Sequence, residues 1–368
     1  MFRPSLKSLW TVTTLAIISI GLFYLTESKI VRKQTKWFPQ KIEAASIMEK
    51  CMISLKDETV KQGYIIDKTN DPQLTGLIGP DVSKITTSIG ILSEKLTTLN
   101  PNFAAVFVDI LKSAKLNKGD KVAVGMTAAN PGANLALLSA MESIGLKPVI
   151  ITSIGSSKYG ANREDFTWLD METHLFEKGL ISNRTNYATL GGGSDRGRGL
   201  SKEGRNIIIN SAKNNKVDLI LGKNLHSIRE KRMESFANHV NNLTEYKSFI
   251  NIGGSVANIG RLVNAKLIRN GVNRNLAEVN FDHPGIFMNF VQKNIPVVHF
   301  FQMKKIANNY NLPLSPETKQ EIGQGEVYIT HLKDVKVASF SLAILIILIV
   351  IIVVFDRKDR HFLENIVQ

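Results

Sequence analysis

Short polar residues follow two apolar stretches of this sequence, and they are of the types that hold an anion. Thr127 and Asn130 come after one apolar run, and Gly253–Ser255 come after another. Glycines expose backbone N–H groups where a helix begins, and hydroxyl groups add donors, so such loops attract carboxylates or phosphates. A plain turn between a strand and a helix has the same composition, and this alternative stays open.

The elements around the first loop are those of a strand–helix–strand unit. The run "KVAVGMT" predicts a buried strand, Asn130 an N-cap, Pro131 the first helical residue and Gly145 the helix end. A second strand, "KPVIITS", follows directly, which implies a right-handed crossover and a parallel sheet. Ligands of such sheets bind beyond the carboxyl ends of the strands. The predicted ligand contacts are Thr127, Asn130, Ser153, Ser156, Ser157, Asn162, Asp170, Gly253, Gly254 and Ser255.

No motif in the chain names a reaction or a cofactor. The sequences G-x-G-x-x-G, G-x-x-x-x-G-K-[ST] and G-x-S-x-G are absent. His283 and His299 share no metal-ligand spacing with any other His or Cys. The acidic stretch that contains Asp170 could supply acid–base groups or bind a cation, and it equally suits an ordinary helix start. We therefore predict no cofactor, no metal and no identifiable catalytic residue.

The charge of the chain indicates an anionic partner. The formal net charge is +14 and the isoelectric point is about 9.7. The Gly-rich stretch Gly191–Gly199 carries Arg196 and Arg198, which we predict to contact a polymer. Such a field suits a polyanion, anionic lipid or nucleic acid, and nucleic acid is the weakest of the three because no interleaved aromatic and basic patch is present.

Two apolar segments predict membrane spans. Leu9–Leu25 and Val337–Phe355 carry no charged residue. The first is not followed by a small-residue cleavage site, which favours an uncleaved signal anchor. Basic residues around the spans nearly cancel, but large domains cross the membrane with little regard to flanking charge. We predict that the main domain lies on the extracytoplasmic side of the bacterial inner membrane.

The remaining segments alternate between strand and helix patterns. They predict an α/β three-layer sandwich with a mostly parallel sheet, flanked by one transmembrane helix at each end. A long loop is predicted over 156–199, and the single Cys51 suits either compartment. The predicted divisions are a signal anchor at 1–28, a helical stalk at 29–75, an α/β domain at 76–330 and a second span with a short basic tail at 331–368.

A set of ordered motifs resembles one known family. The stretches "GLIGPDVSKITTSIG", "LNPNFAAVFVDILKSA", "SIGSSKYGAN", "FTWLDME", "GRGLSKEGR" and "NIGGSVANIG" are similar to those of the bacterial poly-gamma-glutamate system protein. The likeness covers about Gly76 to Gly260. The chain departs from the family pattern at Gly125–Asn134, where a Ser-Gly-Ser type loop is expected and Thr127 keeps a hydroxyl.

The resemblance implies a membrane-bound accessory factor of poly-γ-glutamate capsule synthesis, with the polymer and the synthase and export proteins as partners. It implies no reaction. Three classes of function stay open: a non-catalytic component that binds polymer or machinery, an enzyme that acts on γ-glutamyl bonds through Thr127, Ser156 or Asp170, and a sensor of a small anion such as glutamate.

Overall fold

The structure is a computed structural model that describes the backbone of residues 8–366 and the side chains of residues 8–356. The chain forms two compact units, one from Met1–Thr35 with Ile329–Gln368 and one from Lys36–Tyr328. The basic tail predicted after the second span begins at residue 357, so its side chains lie outside the described residues.

The strands are short, as is usual for a twisted α/β sheet. In chain order they are β1 (Ile30–Gln34), β2 (Thr86–Ser88), β3 (Lys121–Thr127), β4 (Lys147–Ser153), β5 (Ser156–Ser157), β6 (Tyr187–Thr189), β7 (Asp218–Leu219), β8 (Tyr246–Ile252), β9 (Gly271–Asn273), β10 (Val297–Phe300) and β11 (Ile329–Lys333).

The helices range from single turns to membrane length. In chain order they are α1 (Leu9–Ser28), α2 (Phe38–Lys61), α3 (Leu92–Thr97), α4 (Asn102–Ser113), α5 (Pro131–Ile144), α6 (Trp168–Glu177), α7 (Lys202–Asn214), α8 (Leu225–Ala237), α9 (Val256–Ile259), α10 (Leu262–Leu267), α11 (Phe287–Val291), α12 (Met303–Asn309) and α13 (Val335–Ile366).

The terminal unit joins the two ends of the chain. Strands β1 and β11 pair antiparallel, and α1 packs against α13, where the Thr26 hydroxyl donates to Ser341 Oγ at 3.2 Å. Both helices are long and apolar enough to cross a membrane by length and composition. Their large apolar side chains are mostly exposed, unlike those of a helix in a soluble core.

A mostly parallel sheet of seven strands organises the second unit. Its order is β7-β6-β4-β3-β8-β10-β9, and each neighbouring pair is parallel except β10 with β9. The predicted α/β class with a mostly parallel sheet is confirmed. After β3 the chain builds the sheet outwards through β4, β6 and β7, and then returns to place β8 on the other side of β3. The β3–β8 boundary is therefore a topological switch point, where open α/β sheets bind ligands.

The predicted strand–helix–strand unit is confirmed, including the residues that begin and end its helix. The Asn130 side chain accepts from the Ala133 N–H, Pro131 is the first residue of α5, and Gly145 ends it with a φ of 76°. Such a φ favours glycine because it places other residues in the left-handed region. β3 and β4 then pair in parallel along their whole lengths.

Helix α2 differs from the predicted stalk because it belongs to the α/β unit. Ala44, Ala45, Met48, Cys51 and Leu55 on one face are fully buried. This face packs against α4 and α5. The two alanines leave room for close helix contact, so this stripe is a core face and not the surface of a free-standing helix.

The long loop predicted over 156–199 contains three elements: β5, which pairs with β2 in a separate two-stranded sheet, helix α6 and strand β6. Helix α6 begins with a capping box formed by Thr167 and Asp170. Strand β6 pairs with β4 on one side and β7 on the other. The three-residue strand is too short for its alternation to be recognised in the sequence.

Candidate functional site

Two loops meet at the switch point, and their contact is close. Thr127 ends β3, and Gly253 directly follows the neighbouring strand β8. Gly253 has a φ of 88°, and a Cβ atom there would overlap the Thr127 side chain. Glycine therefore allows both the turn and the approach to the hydroxyl. The structure thus brings Thr127 together with the Gly253–Ser255 loop.

These loops carry hydrogen-bond donors that nothing in the described part of the chain uses. Thr127 Oγ1 and Ser255 Oγ make no hydrogen bond there, and each residue is 8% exposed. The backbone N–H groups of Ala129, Asn130, Gly254 and Ser255 also have no acceptor among the described residues. Hydroxyl and amide donors of this kind suit a carboxylate, because a charged acceptor forms the stronger hydrogen bonds.

Asn130 and Ser156, two other predicted contacts, hold the loop between β3 and α5 in place. Asn130 Oδ1 is occupied by the Ala133 N–H and by the Thr98 hydroxyl, 2.7 Å away. The Ser156 hydroxyl is fully buried and donates to the Ala128 carbonyl at 3.0 Å. Both side chains fix the loop between β3 and α5, and Asn130 Nδ2 keeps its N–H groups unused among the described residues.

Asn162 and Asp170 have local partners. Asn162 Nδ2 donates to the Pro80 carbonyl and to Thr86 Oγ1, both at 2.8 Å. Asp170 Oδ2 caps α6, and its Oδ1 accepts from Asn215 Nδ2 at 2.6 Å. No described contact joins either residue to the switch-point loops.

Beneath the sheet edge lies a buried polar network that the sequence did not reveal. Arg232 on α8 is fully buried, and its guanidinium donates to Asp195, Ser153 and Thr189 at 2.7–3.0 Å. Ser153 is thus committed to the network. Asp195 belongs to the Gly-rich stretch, which it pins to the sheet. The one available signal was helical spacing, because Arg232 shares the buried face of α8 with Ile228.

The network continues across the sheet through two amides. Arg232 Nη1 donates to Asn258 Oδ1, Asn258 Nδ2 donates to Asn251 Oδ1, and both distances are 3.0 Å. Asn251 Nδ2 in turn donates to the Gly253 carbonyl at 2.8 Å. Burial lowers the pKa of the neighbouring His299 to about 4, so this ring is neutral at pH 7. The network therefore orients the loop that carries Gly253.

The Gly-rich stretch is folded back on itself around Asp195. Backbone bridges join Gly191 to Arg196 and Gly193 to Arg198. The side chains of Arg196 and Arg198 are exposed, whereas Asp195 between the glycines is 2% exposed. The buried Asp195 therefore fixes the backbone of the stretch, and the side chains of Arg196 and Arg198 extend from it into solvent.

A buried lysine lies on the other side of the β3–α5 loop. Lys95, on α3, is 4% exposed, and its Nζ donates to Ser157 Oγ at 2.8 Å and to the Ala129 carbonyl. No carboxylate forms an ion pair with it among the described residues. Burial lowers the pKa of Lys95 to about 7, so a large share of it is neutral at physiological pH. Sequence analysis singled out Ser157 but missed its lysine.

A second serine lies beside a base on the surface of the same unit. His174 Nε2 is 2.9 Å from Ser54 Oγ, and His174 Nδ1 is 3.9 Å from Glu58 Oε2. These residues line a shallow groove of about 460 Å³ together with Lys50, Lys61 and Lys178. Ser54 lies inside α2, where the backbone N–H groups bond within the helix, so the backbone around it offers no oxyanion hole. The arrangement serves more readily as a bridge between α2 and α6.

Among the residues that the structure describes, no cluster of three or more His, Cys, Asp or Glu side chains could hold a metal ion. Comparison of the chain with protein-family models, curated proteins and solved structures gives no match in any of the three.

Proposed function

We propose that this chain is a membrane-anchored accessory component of poly-γ-glutamate capsule synthesis and export, and that the switch-point loops bind the carboxylates of the polymer. The observation that carries the proposal is the set of unused donors around Thr127 and Ser255. A carboxylate on every residue of the polymer matches donors that lack a partner within the protein.

Charge and sequence resemblance support the same ligand. A net charge of +14 creates an attractive field for a polyanion. The resemblance to the poly-gamma-glutamate system protein covers the sheet from before β2 to the end of α9. The absence of a G-x-x-x-x-G-K-[ST] motif favours a binding role over ATP-dependent activation of glutamate.

The proposal also covers the position of the chain in the membrane and the layers around its sheet. The terminal helices α1 and α13 anchor the chain in the inner membrane, with the α/β unit on the extracytoplasmic side, where an exported polymer emerges. The return of the chain from β7 to β8 supports helices on both faces of the sheet, hence a three-layer sandwich. The synthase and export proteins are the expected partners in the membrane.

Binding of γ-glutamyl oligomers of increasing length to the purified chain tests the proposal. We expect affinity to rise with length and to fall tenfold or more in a Thr127→Val, Ser255→Ala variant, since each lost bond to a charged group costs about 1.5–3 kcal/mol and about 1.4 kcal/mol is a factor of ten. Thr318→Val with Ser113→Ala is the matched control, because both residues are exposed and neither has a described hydrogen bond to the loops.

Each alternative predicts a different result in this assay. Tight binding of monomeric glutamate with no gain from length would indicate a small-anion sensor. Unchanged affinity in the folded Thr127→Val, Ser255→Ala variant would mean that these loops are only turns. A deletion strain tests the pathway separately: we expect less surface polymer while ATP-dependent ligation in extracts is retained.

A further inference from the structure

We propose that Ser157 and Lys95 form a serine–lysine catalytic pair that cleaves or transfers an acyl group, with Ser157 as the nucleophile and Lys95 as its base. Such pairs are a known variant of the serine–histidine arrangement and are recognised by geometry, not by sequence order. The inference gives the domain a chemical activity in addition to binding.

The geometry meets the first requirement for a nucleophile and its base. Lys95 Nζ lies 2.8 Å from Ser157 Oγ, within the range for direct proton transfer. The carbonyl of Ala129 holds the same Nζ from a second direction. Because no carboxylate pairs with Lys95 in the described part of the chain, its amine can lose the proton near neutral pH.

Both residues of the pair are buried, and the serine keeps slightly more exposure than the lysine. Ser157 is 8% exposed, about twice the fraction of Lys95. Gly90 lies over both residues, since a Cβ atom there would be 3.1 Å from Ser157 Oγ and 3.0 Å from Lys95 Cε. A glycine at this position keeps a side chain from covering the pair.

A backbone donor for a developing oxyanion lies on the adjoining loop. The unused N–H group of Ala129 belongs to the loop that anchors Lys95, whereas the Asn130 N–H points away from Lys95, opposite the carbonyl that holds it. Backbone donors that are already in place stabilise the negative charge of a tetrahedral intermediate without reorganisation. This feature distinguishes Ser157 from Ser54, which lies inside a helix.

The reaction uses only the pair, an acyl substrate and water. Neutral Lys95 takes the hydroxyl proton as Ser157 Oγ attacks the carbonyl carbon of an amide. The carbon–nitrogen bond breaks, the amine leaves with the proton from Lys95, and an ester to Ser157 remains. Water then attacks this ester with Lys95 again as the base, and the proton returns to Ser157 Oγ as the carboxylic acid is released.

The substrate class follows from the donors at the switch point. Thr127 ends the strand that leads into the Ala129–Asn130 loop, and Ser255 lies on the neighbouring loop after β8. Their hydroxyls suit the carboxylate of an amide-linked acidic residue, so we assign a γ-glutamyl amide. This choice of substrate rests on the proposed function. The reactivity of Ser157 does not, because a small electrophile can test it without the polymer.

The full-length chain in detergent is treated with a fluorophosphonate probe, which reacts with activated serines, and the labelled peptide is identified by mass spectrometry. We expect labelling at Ser157 that increases as the pH rises through about 7, where Lys95 loses its proton. The Ser157→Ala variant should lose the label, and Lys95→Gln should slow labelling at least tenfold. Ser54→Ala is the matched control and should label as the parent does.

A Lys95→Gln variant that fails to fold would also lose the label. The dependence of Ser157 labelling on pH in the parent chain tests the base without that variant. Labelling of Ser54 in place of Ser157, or no label on Ser157 at any pH, would overturn the pair. If γ-glutamyl oligomers still bind with an affinity that rises with their length, the proposed binding function stands without the catalytic pair. Labelling of Ser157 in a chain that neither binds nor cleaves γ-glutamyl oligomers would support the pair and overturn the assigned substrate.

Discussion

Arg232 Nη2 lies 2.7 Å from Asp195 Oδ2, and both side chains are almost completely buried. The pair ties α8 to the Gly-rich stretch and leaves the guanidinium with further bonds to Ser153 and Thr189. The position of two exposed arginines on the domain surface therefore depends on one ion pair inside it.

Removal of one partner of this pair should destabilise the domain strongly. Arg232→Met leaves the Asp195 carboxylate buried without its counter-ion, and breaking a buried pair in this way costs about 3–5 kcal/mol. Denaturant unfolding in detergent measures the loss. Arg198→Ser is the surface control, with a change expected within about 0.5 kcal/mol. Equal stability of the two variants would show that the ion pair is dispensable.

The sequence allowed the first half of the site to be predicted because its signals are local. The run before Thr127, the cap at Asn130 and the glycine at 145 mark a strand, a loop and a helix within 25 residues, as observed. The second loop, at Gly253, was recognised by the same pattern. Their meeting depends on strand order, which the alternation of elements limits but does not determine.

The charged residues of the site could not be predicted because their burial depends on distant partners. Lys95 and Ser157 are 62 residues apart, and Arg232 and Asp195 are 37 apart. In the sequence Lys95 and Arg232 are typical of a solvated helix face, and Asp195 is typical of an exposed loop. The sequence also could not separate Ser156 from Ser157, because neighbouring strand residues point to opposite sides.

A buried carboxyl group on α6 should make stability depend on pH. Burial raises the pKa of Glu172 to about 7, and Glu172 Oε2 accepts from the Thr185 N–H at 3.2 Å. The folded state then holds the proton more tightly than the unfolded chain. The stability that this group provides is complete below about pH 4.5 and is lost as the pH rises through about 7.

Replacement of this carboxyl by an amide should remove that pH dependence. We expect the stability of Glu172→Gln, relative to the parent, to increase between about pH 4.5 and 7 by on the order of 3 kcal/mol at most. Urea unfolding at several pH values gives the difference. Glu177→Gln, on the exposed end of the same helix, is the control, and parallel curves for parent and Glu172→Gln would contradict the assignment.

Cysteine labelling can test on which side of the membrane the α/β unit lies, because the native thiol should not react. Cys51 is fully buried, and burial raises its pKa to about 12, so it should not react in the folded chain. A cysteine in place of exposed Glu177 should react in intact cells with a membrane-impermeant maleimide. Labelling only after the cells are opened would place the domain in the cytoplasm.

Binding of the polymer should depend steeply on salt if charge brings it to the domain. The Debye length falls from about 10 Å at 0.1 M to about 3 Å at 1 M, so exposed charges lose most of their reach. We expect the affinity for long γ-glutamyl oligomers to fall over this range, as measured by equilibrium binding.

A matched pair of variants separates net charge from position. Arg196→Ser with Arg198→Ser should reproduce, at 0.1 M salt, part of the loss of affinity that high salt causes. The reason is that these two side chains are exposed on a stretch whose backbone Asp195 holds in place. Arg269→Ser with Arg274→Ser removes the same charge beside β9, at the opposite edge of the sheet, and should weaken binding less. Equal losses in the two variants would mean that the polymer senses only the overall charge of the domain. Affinity that does not change with salt would instead favour a small ligand held at the switch point by short-range hydrogen bonds.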